Sequence, residues 1–87
     1  MTHRTFPRFW THYDALPAEI RELADKNFAL LKLNPRYPSL QLKPVGPYWS
    51  ARVGISYRAV AIRDGDTLHW FWIGHHSEYD KLLALAR

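Results

Sequence analysis

Cysteine is absent from this 87-residue, 10.3 kDa chain. That excludes disulfides, thiolate metal ligands and a thiol nucleophile, and it suits a reducing compartment. Glycine occurs four times, never in the spacing of a phosphate-cradling loop, and no serine sits in a recognisable nucleophile setting. No apolar run approaches ~18 residues, so no bilayer span is expected. No apolar stretch follows a basic start, so no secretory signal is expected either. Repeats and low-complexity tracts are missing too. The expectation is one soluble domain over residues 1–87, cytoplasmic and without a membrane partner.

Acids are absent from the middle of the chain. Residues 26–63 carry Lys26, Lys32, Arg36, Lys43, Arg52, Arg58 and Arg63 with no Asp or Glu, a sum of +7. The flanks are mildly acidic. Such a block reads either as a surface for phosphates or an acidic protein, or as a solvated face whose acids lie nearby in space. Eight of the twelve bases are arginine, the better fork for phosphate. A hydrophobic content of 47% and an aromatic content of 15% argue against disorder.

Thr5 reads as the cap of a first helix with Pro7 in its opening turn. Phe6, Phe9, Trp10 and Tyr13 then fall at i, i+3, i+4 and i+7, one aromatic face. Pro17 opens a second helix, with Ile20, Leu23, Ala24, Phe28 and Leu31 on its apolar face and Glu22–Lys26 as an i, i+4 pair. Asn34-Pro35 ends it. A short strand is expected at Leu40–Lys43, then strands at Trp49–Val53, Tyr57–Arg63 and Leu68–Ile73. Asp64-Gly65 marks a tight hairpin, and Gly54 serves the preceding turn. Ser77 reads as the cap of a closing helix, with Asp80 completing a capping box and Tyr79, Leu82, Leu83 and Ala86 on one face. The fold class is α+β: two N-terminal helices packed on a three- to four-stranded antiparallel sheet, with a short C-terminal helix.

Alternation in the strand from Tyr57 puts Arg58, Val60 and Ile62 on one face and Tyr57, Ala59 and Ala61 on the other. The alanines suit a closely packed helix, which leaves Arg58 on the open face; Arg52 joins it there if the hairpin register pairs the two. The alternative for both is an arginine lying over a sheet surface. His75 and His76 fall where the last strand meets the closing helix. A histidine there can give or take a proton near neutrality, or be a plain turn residue. Tyr79 shares its face with two leucines and is equally a packing residue. The Trp70–Trp72 stripe, expected on one face with Gly74 and His76, reads as core, base-stacking platform or partner groove. His69, His75 and His76 match no zinc spacing, so neither a metal nor a cofactor is expected.

The run Trp49-Ser-Ala-Arg52-Val-Gly-Ile-Ser-Tyr57-Arg58-Ala-Val, then Asp-Gly, then Trp-Ile-Gly-His75-His76-Ser-Glu-Tyr79, resembles the RelE/ParE superfamily of type II toxin–antitoxin toxins. The similarity covers most of the chain. Members commonly show a β-α-α-β-β-β core, and this chain departs at its start, where Thr5–Tyr13 reads as helix with little before it to form a first strand.

The resemblance implies one of two activities: cleavage of messenger RNA in the ribosomal decoding site, as a metal-independent endoribonuclease (an mRNA interferase) that inhibits translation, or ParE-like poisoning of DNA gyrase without nuclease chemistry. On the first, Arg58 matches a phosphate-clamping strand arginine. Arg52 falls near a second basic position, and Lys43 adds charge to the RNA groove. His76 matches a C-terminal histidine acting as general acid or base, with His75 its rival for that role, and Tyr79 matches a tyrosine used for orientation or proton transfer. The glutamate base of some nuclease members has no counterpart between Lys26 and Arg63. Implied partners are a cognate antitoxin, the ribosome and mRNA, with gyrase as the alternative. A third reading, from the residues alone, is a non-catalytic basic RNA-binding module.

Overall fold

The computed structural model describes residues 1–85. Five strands form a mixed sheet in the order β1-β5-β4-β3-β2: β1 (Thr2–Thr5), β2 (Lys43–Val45), β3 (Tyr48–Val53), β4 (Tyr57–Asp64) and β5 (Thr67–His75). Helices α1 (Pro7–Asp14), α2 (Ala18–Leu33) and α3 (His76–Leu85) complete the α+β fold. Ala86, expected on the α3 face, lies outside the described residues.

The sheet has one strand more than the sequence pattern suggests, and it is not wholly antiparallel. Thr2–Thr5 pairs in parallel with Thr67–Trp70 of β5. Thr2 N–H donates to Asp66 O at 2.8 Å and Phe6 N–H to Trp70 O at 2.9 Å, which fixes both ends of the strand. Thr5 therefore ends a strand instead of capping α1. Phe6 takes the N-cap position with extended backbone, and Thr5 Oγ1 accepts the Trp10 indole N–H at 3.1 Å.

The aromatic face of α1 divides. Phe9 and Tyr13 pack on the core, while Phe6 and Trp10 remain 39% and 47% exposed. Pro17 occupies the N-cap position of α2, whose Leu31 is buried and whose Phe28 stays partly in solvent. Tyr13 O–H donates to Asp25 Oδ1 at 2.7 Å and so ties α1 to α2. That bond favours the neutral phenol and raises the Tyr13 pKa above the usual tyrosine value. Glu22 and Lys26 are not among the ion pairs of the described residues, which are Met1 N with Asp66 and Lys81 with Glu78.

The strand expected at Leu40–Lys43 begins later. Pro38–Leu40 is a 3-10 turn that drives Leu40 into the core at 1% exposure, and β2 starts at Lys43. The β4–β5 turn is Gly65-Asp66; only Gly65 has positive φ, +60°, the pattern of a II′ hairpin turn. At the β3–β4 turn Gly54 has φ +66° and also faces Leu23 Cδ2, 2.8 Å from where a Cβ would stand. A side chain there is strained by the backbone, and the end of Leu23 would have to give way.

Helices α1 and α2 cover one sheet face, on which Ala51, Val53, Ala59, Ala61, Leu68, Trp70 and Ile73 form the core with Leu16, Leu31 and Leu40. A register shift between Val60 and Ala61 sets Trp70 opposite Ala61 and Trp72 opposite Val60, leaving Phe71 as the extra residue of a β-bulge. The bulge overturns the expected tryptophan stripe. Trp70 enters the helix-covered core, whereas Trp72 joins Val60 on the opposite face.

Candidate functional site

The face away from α1 and α2 is laid out by register, because residues directly opposite in neighbouring strands share a face. One row runs Lys43–Ser50–Val60–Trp72 from β2 to β5, and the next runs Arg52–Arg58–Gly74. Lys43, Arg52 and Arg58 thus share the face expected to be open, although its middle residues Ser50 and Val60 are buried. The rest of the basic block is dispersed. Lys26 and Lys32 belong to α2, and Arg63 lies on the helix-covered side with its guanidinium 5.2 Å from the Trp49 ring centre.

Arg52 and Arg58 are direct cross-strand partners, two like charges where such a pair is normally unfavourable. Among the described residues neither is paired with a carboxylate. Instead the carbonyls of Gly54, Ile55 and Ser56, the three residues joining β3 to β4, each receive a donor. Arg52 Nε–H donates to Gly54 O at 3.0 Å, Arg58 Nη1–H to Ile55 O at 3.2 Å, and the His76 backbone N–H to Ser56 O at 2.7 Å. Arg58 Nη1 also reaches Tyr57 O at 2.7 Å. One short turn therefore gathers both arginines and the start of α3. Among the described residues these are the hydrogen bonds of the two guanidinium groups.

The two histidines have different surroundings. His75 is the cross-strand partner of Tyr57, with rings edge to face at 5.4 Å. Its Nδ1 accepts the Ser77 backbone N–H at 3.2 Å and lies 3.0 Å from Ser77 Oγ. The expected Ser77 cap is thus replaced: α3 begins at His76, and the His75 ring caps it. His75 also lines a solvent-open cleft of about 350 Å³ with His12, Trp72 and Glu78, which neither Arg52 nor Arg58 borders. His76 is exposed, its ring 4.4 Å from that of His75.

Tyr79 is half-buried, its ring 6.5 Å from Trp72. The Trp72 indole lies across Gly74: a Cβ on Gly74 would meet its ring carbons at 2.7 and 2.9 Å. Among the described residues no three of His, Cys, Asp and Glu gather as a metal site.

Three chains of solved structures show the same architecture. One from the RelB–RelE antitoxin–toxin complex of Methanococcus jannaschii superposes with a TM-score of 0.71 at 22% identity, covering 90% of this chain and 96% of that one. The fold is that of the RelE/ParE toxin superfamily. The YoeB/ParE toxin from Agrobacterium tumefaciens gives 0.64 at 20% identity, covering 87% of this chain and 99% of that one. A chain of the toxin–antitoxin complex RelBE2 from Mycobacterium tuberculosis gives 0.62 at 25% identity, with 85% and 95% covered. No protein-family model and no curated protein sequence matches the chain.

Seen as a RelE/ParE fold, the open face includes residues that sequence reasoning passed over. Ser50 is 3% exposed at its centre. Arg8 reaches it from α1, its guanidinium 4.9 Å from the Phe71 ring centre, and His12 comes within 6.1 Å of Trp72. The i, i+4 spacing of Arg8 and His12 beside the aromatic face of α1 was the available signal.

Proposed function

We propose that the protein is the toxin of a type II toxin–antitoxin module and a metal-independent, ribosome-dependent mRNA endonuclease. The observation that carries this reading is the acid-free convergence of Arg52, Arg58 and the start of α3 on one turn. RNA cleavage of this type needs a base for the ribose 2′-hydroxyl, cations for the pentacoordinate phosphorane and an acid for the leaving 5′-oxygen. Arg58 clamps the scissile phosphate through its guanidinium N–H groups, and Arg52, its cross-strand partner, shares the developing charge. Lys43, on the same face, holds the RNA backbone further along. His76 moves the proton, since the Nδ1 of its rival His75 is committed to capping α3. Tyr79 orients the nucleotide beside Trp72. The 2′-oxygen attacks phosphorus as its proton passes to a base supplied by a histidine or the ribosome. The P–O5′ bond breaks as the 5′-oxygen takes a proton from the acid, and the products carry a 2′,3′-cyclic phosphate and a 5′-hydroxyl. So small a face gains its substrate geometry from the ribosome. The partner is a cognate antitoxin, in keeping with the antitoxin complexes of the structural neighbours.

One observation favours the gyrase-poison reading. Asp64, the carboxylate that β4 sets on this face, stands six residues along the strand from Arg58, too far to act as its base. Chemistry separates the two. A single 2′-deoxy substitution at the cut nucleotide is expected to abolish cleavage, and cutting that persists would overturn the 2′-hydroxyl mechanism.

A further inference from the structure

Between the helices and the sheet lies an apolar cavity of about 110 Å³. Three alanines create it. Ala51 and Ala59 are cross-strand partners on the covered sheet face, and Ala24 of α2 also lines the space. Leu31, Trp70 and Ile73 form further walls. Each polar side chain of the lining makes a hydrogen bond within the chain. Thr5 Oγ1 accepts from Trp10, Asp25 Oδ1 accepts from Tyr13, Asn27 Nδ2 donates to Arg52 O at 3.3 Å, and Arg52 Nε donates to Gly54 O. No buried side-chain nitrogen or oxygen of the described residues lacks a partner. So largely apolar a space recruits water poorly, and a dry cavity of roughly 150 Å³ takes up benzene or xenon.

We infer that this cavity is a binding site for a small, neutral, apolar ligand no larger than a single aromatic ring. A charged or strongly hydrogen-bonding molecule would lose its hydration on entering so largely apolar a lining. Entry lies beside Trp10 and Phe28, both substantially exposed, where the Tyr13–Asp25 bond joins the two helices. The site lies on the helix-covered side of the sheet, with Arg52 at its border and Arg58 outside it, and does not depend on the toxin reading.

The test is titration of the labelled protein with benzene, and separately with xenon, followed by methyl and backbone NMR. Saturable shifts are expected at Leu31, Val53, Ala59 and Ile73, together with a higher melting temperature. Benzoate and benzylamine are expected to leave these signals in place. Ala59→Leu fills the space and should abolish the shifts; Ala51→Val serves if that variant does not fold. Absence of saturable shifts, shifts retained in a folded filled variant, or shifts produced by protein concentration alone (a second copy inserting a side chain) would each overturn the inference.

Discussion

Arg52 and Arg58 face each other across β3 and β4, and both donate to carbonyls of the turn that joins those strands. The pair combines a repulsion with a shared anchor, which holds each arginine in place. Arg58→Ala removes like-charge repulsion along with two hydrogen bonds, one to the exposed Ile55 carbonyl and one to the part-buried Tyr57 carbonyl. Its melting temperature should stay close to wild type, within about 1 kcal/mol of stability. RNA cleavage should fall by about 10²–10³-fold, the usual cost of losing a donor to a developing anion. Arg58→Lys should recover little, because an ammonium cannot reproduce the fork. Single-turnover rates beside thermal melts check both halves.

The histidines should separate cleanly. His75→Ala loses the ring that caps α3 and should cost about 0.5–2 kcal/mol of stability while activity per folded molecule survives. His76→Ala should do the reverse, with unchanged melting and a rate lowered by about 10²–10⁴-fold. The exchanged pattern, His75 essential and His76 dispensable, would reassign the proton-transfer role.

Gly74→Ala places a methyl group within 3 Å of the Trp72 indole. The indole must move off the strand or the strand must shift, at an expected cost of about 1–3 kcal/mol. Tryptophan fluorescence should report the displacement, and a variant identical to wild type in spectrum and melting would show that Trp72 is freely adjustable.

His3 should make β1 sensitive to acid. Its Nδ1 accepts the Trp70 indole N–H at 3.1 Å, and its ring packs against Phe28 and Trp70. Burial first, then the N-terminal ammonium and Lys32, lowers its pKa below the ordinary 6.5. The folded state therefore prefers the neutral ring. Its contribution is complete above the unfolded value of ~6.5 and declines as pH falls below it toward the lower folded value. Melting temperatures from pH 7.5 to 5 should fall less steeply in His3→Gln, whose amide oxygen can still accept from Trp70. Parallel profiles would contradict the assignment.

Much of the fold was legible because its signals are local. Pro7 and Pro17 mark helix starts, Asn34-Pro35 marks a stop, Gly65 marks a hairpin, and alternation around Arg58 assigns its face. The register that sets Arg52 opposite Arg58 follows from a three-residue turn at Gly54. The failures are non-local or chemically unusual. Strand β1 is four residues with no alternation to read, and it exists through a parallel partner more than sixty positions away. The bulge at Phe71 carries no glycine or proline, and an aromatic triplet suits either face. Histidine is not a customary helix cap, so His75 yielded that role to Ser77 in the sequence pattern. Charge summed along the chain also overstated the open face, since α2 carries Lys26 and Lys32 elsewhere.

The most direct test of the proposed function is primer extension on a defined messenger RNA in a purified translation system, with wild-type protein, Arg58→Ala and His76→Ala. Cuts that require ribosomes and disappear in both folded variants are the expected result. Folded wild-type protein that leaves the message intact, while inhibiting gyrase supercoiling equally well with or without Arg58 and His76, would contradict it.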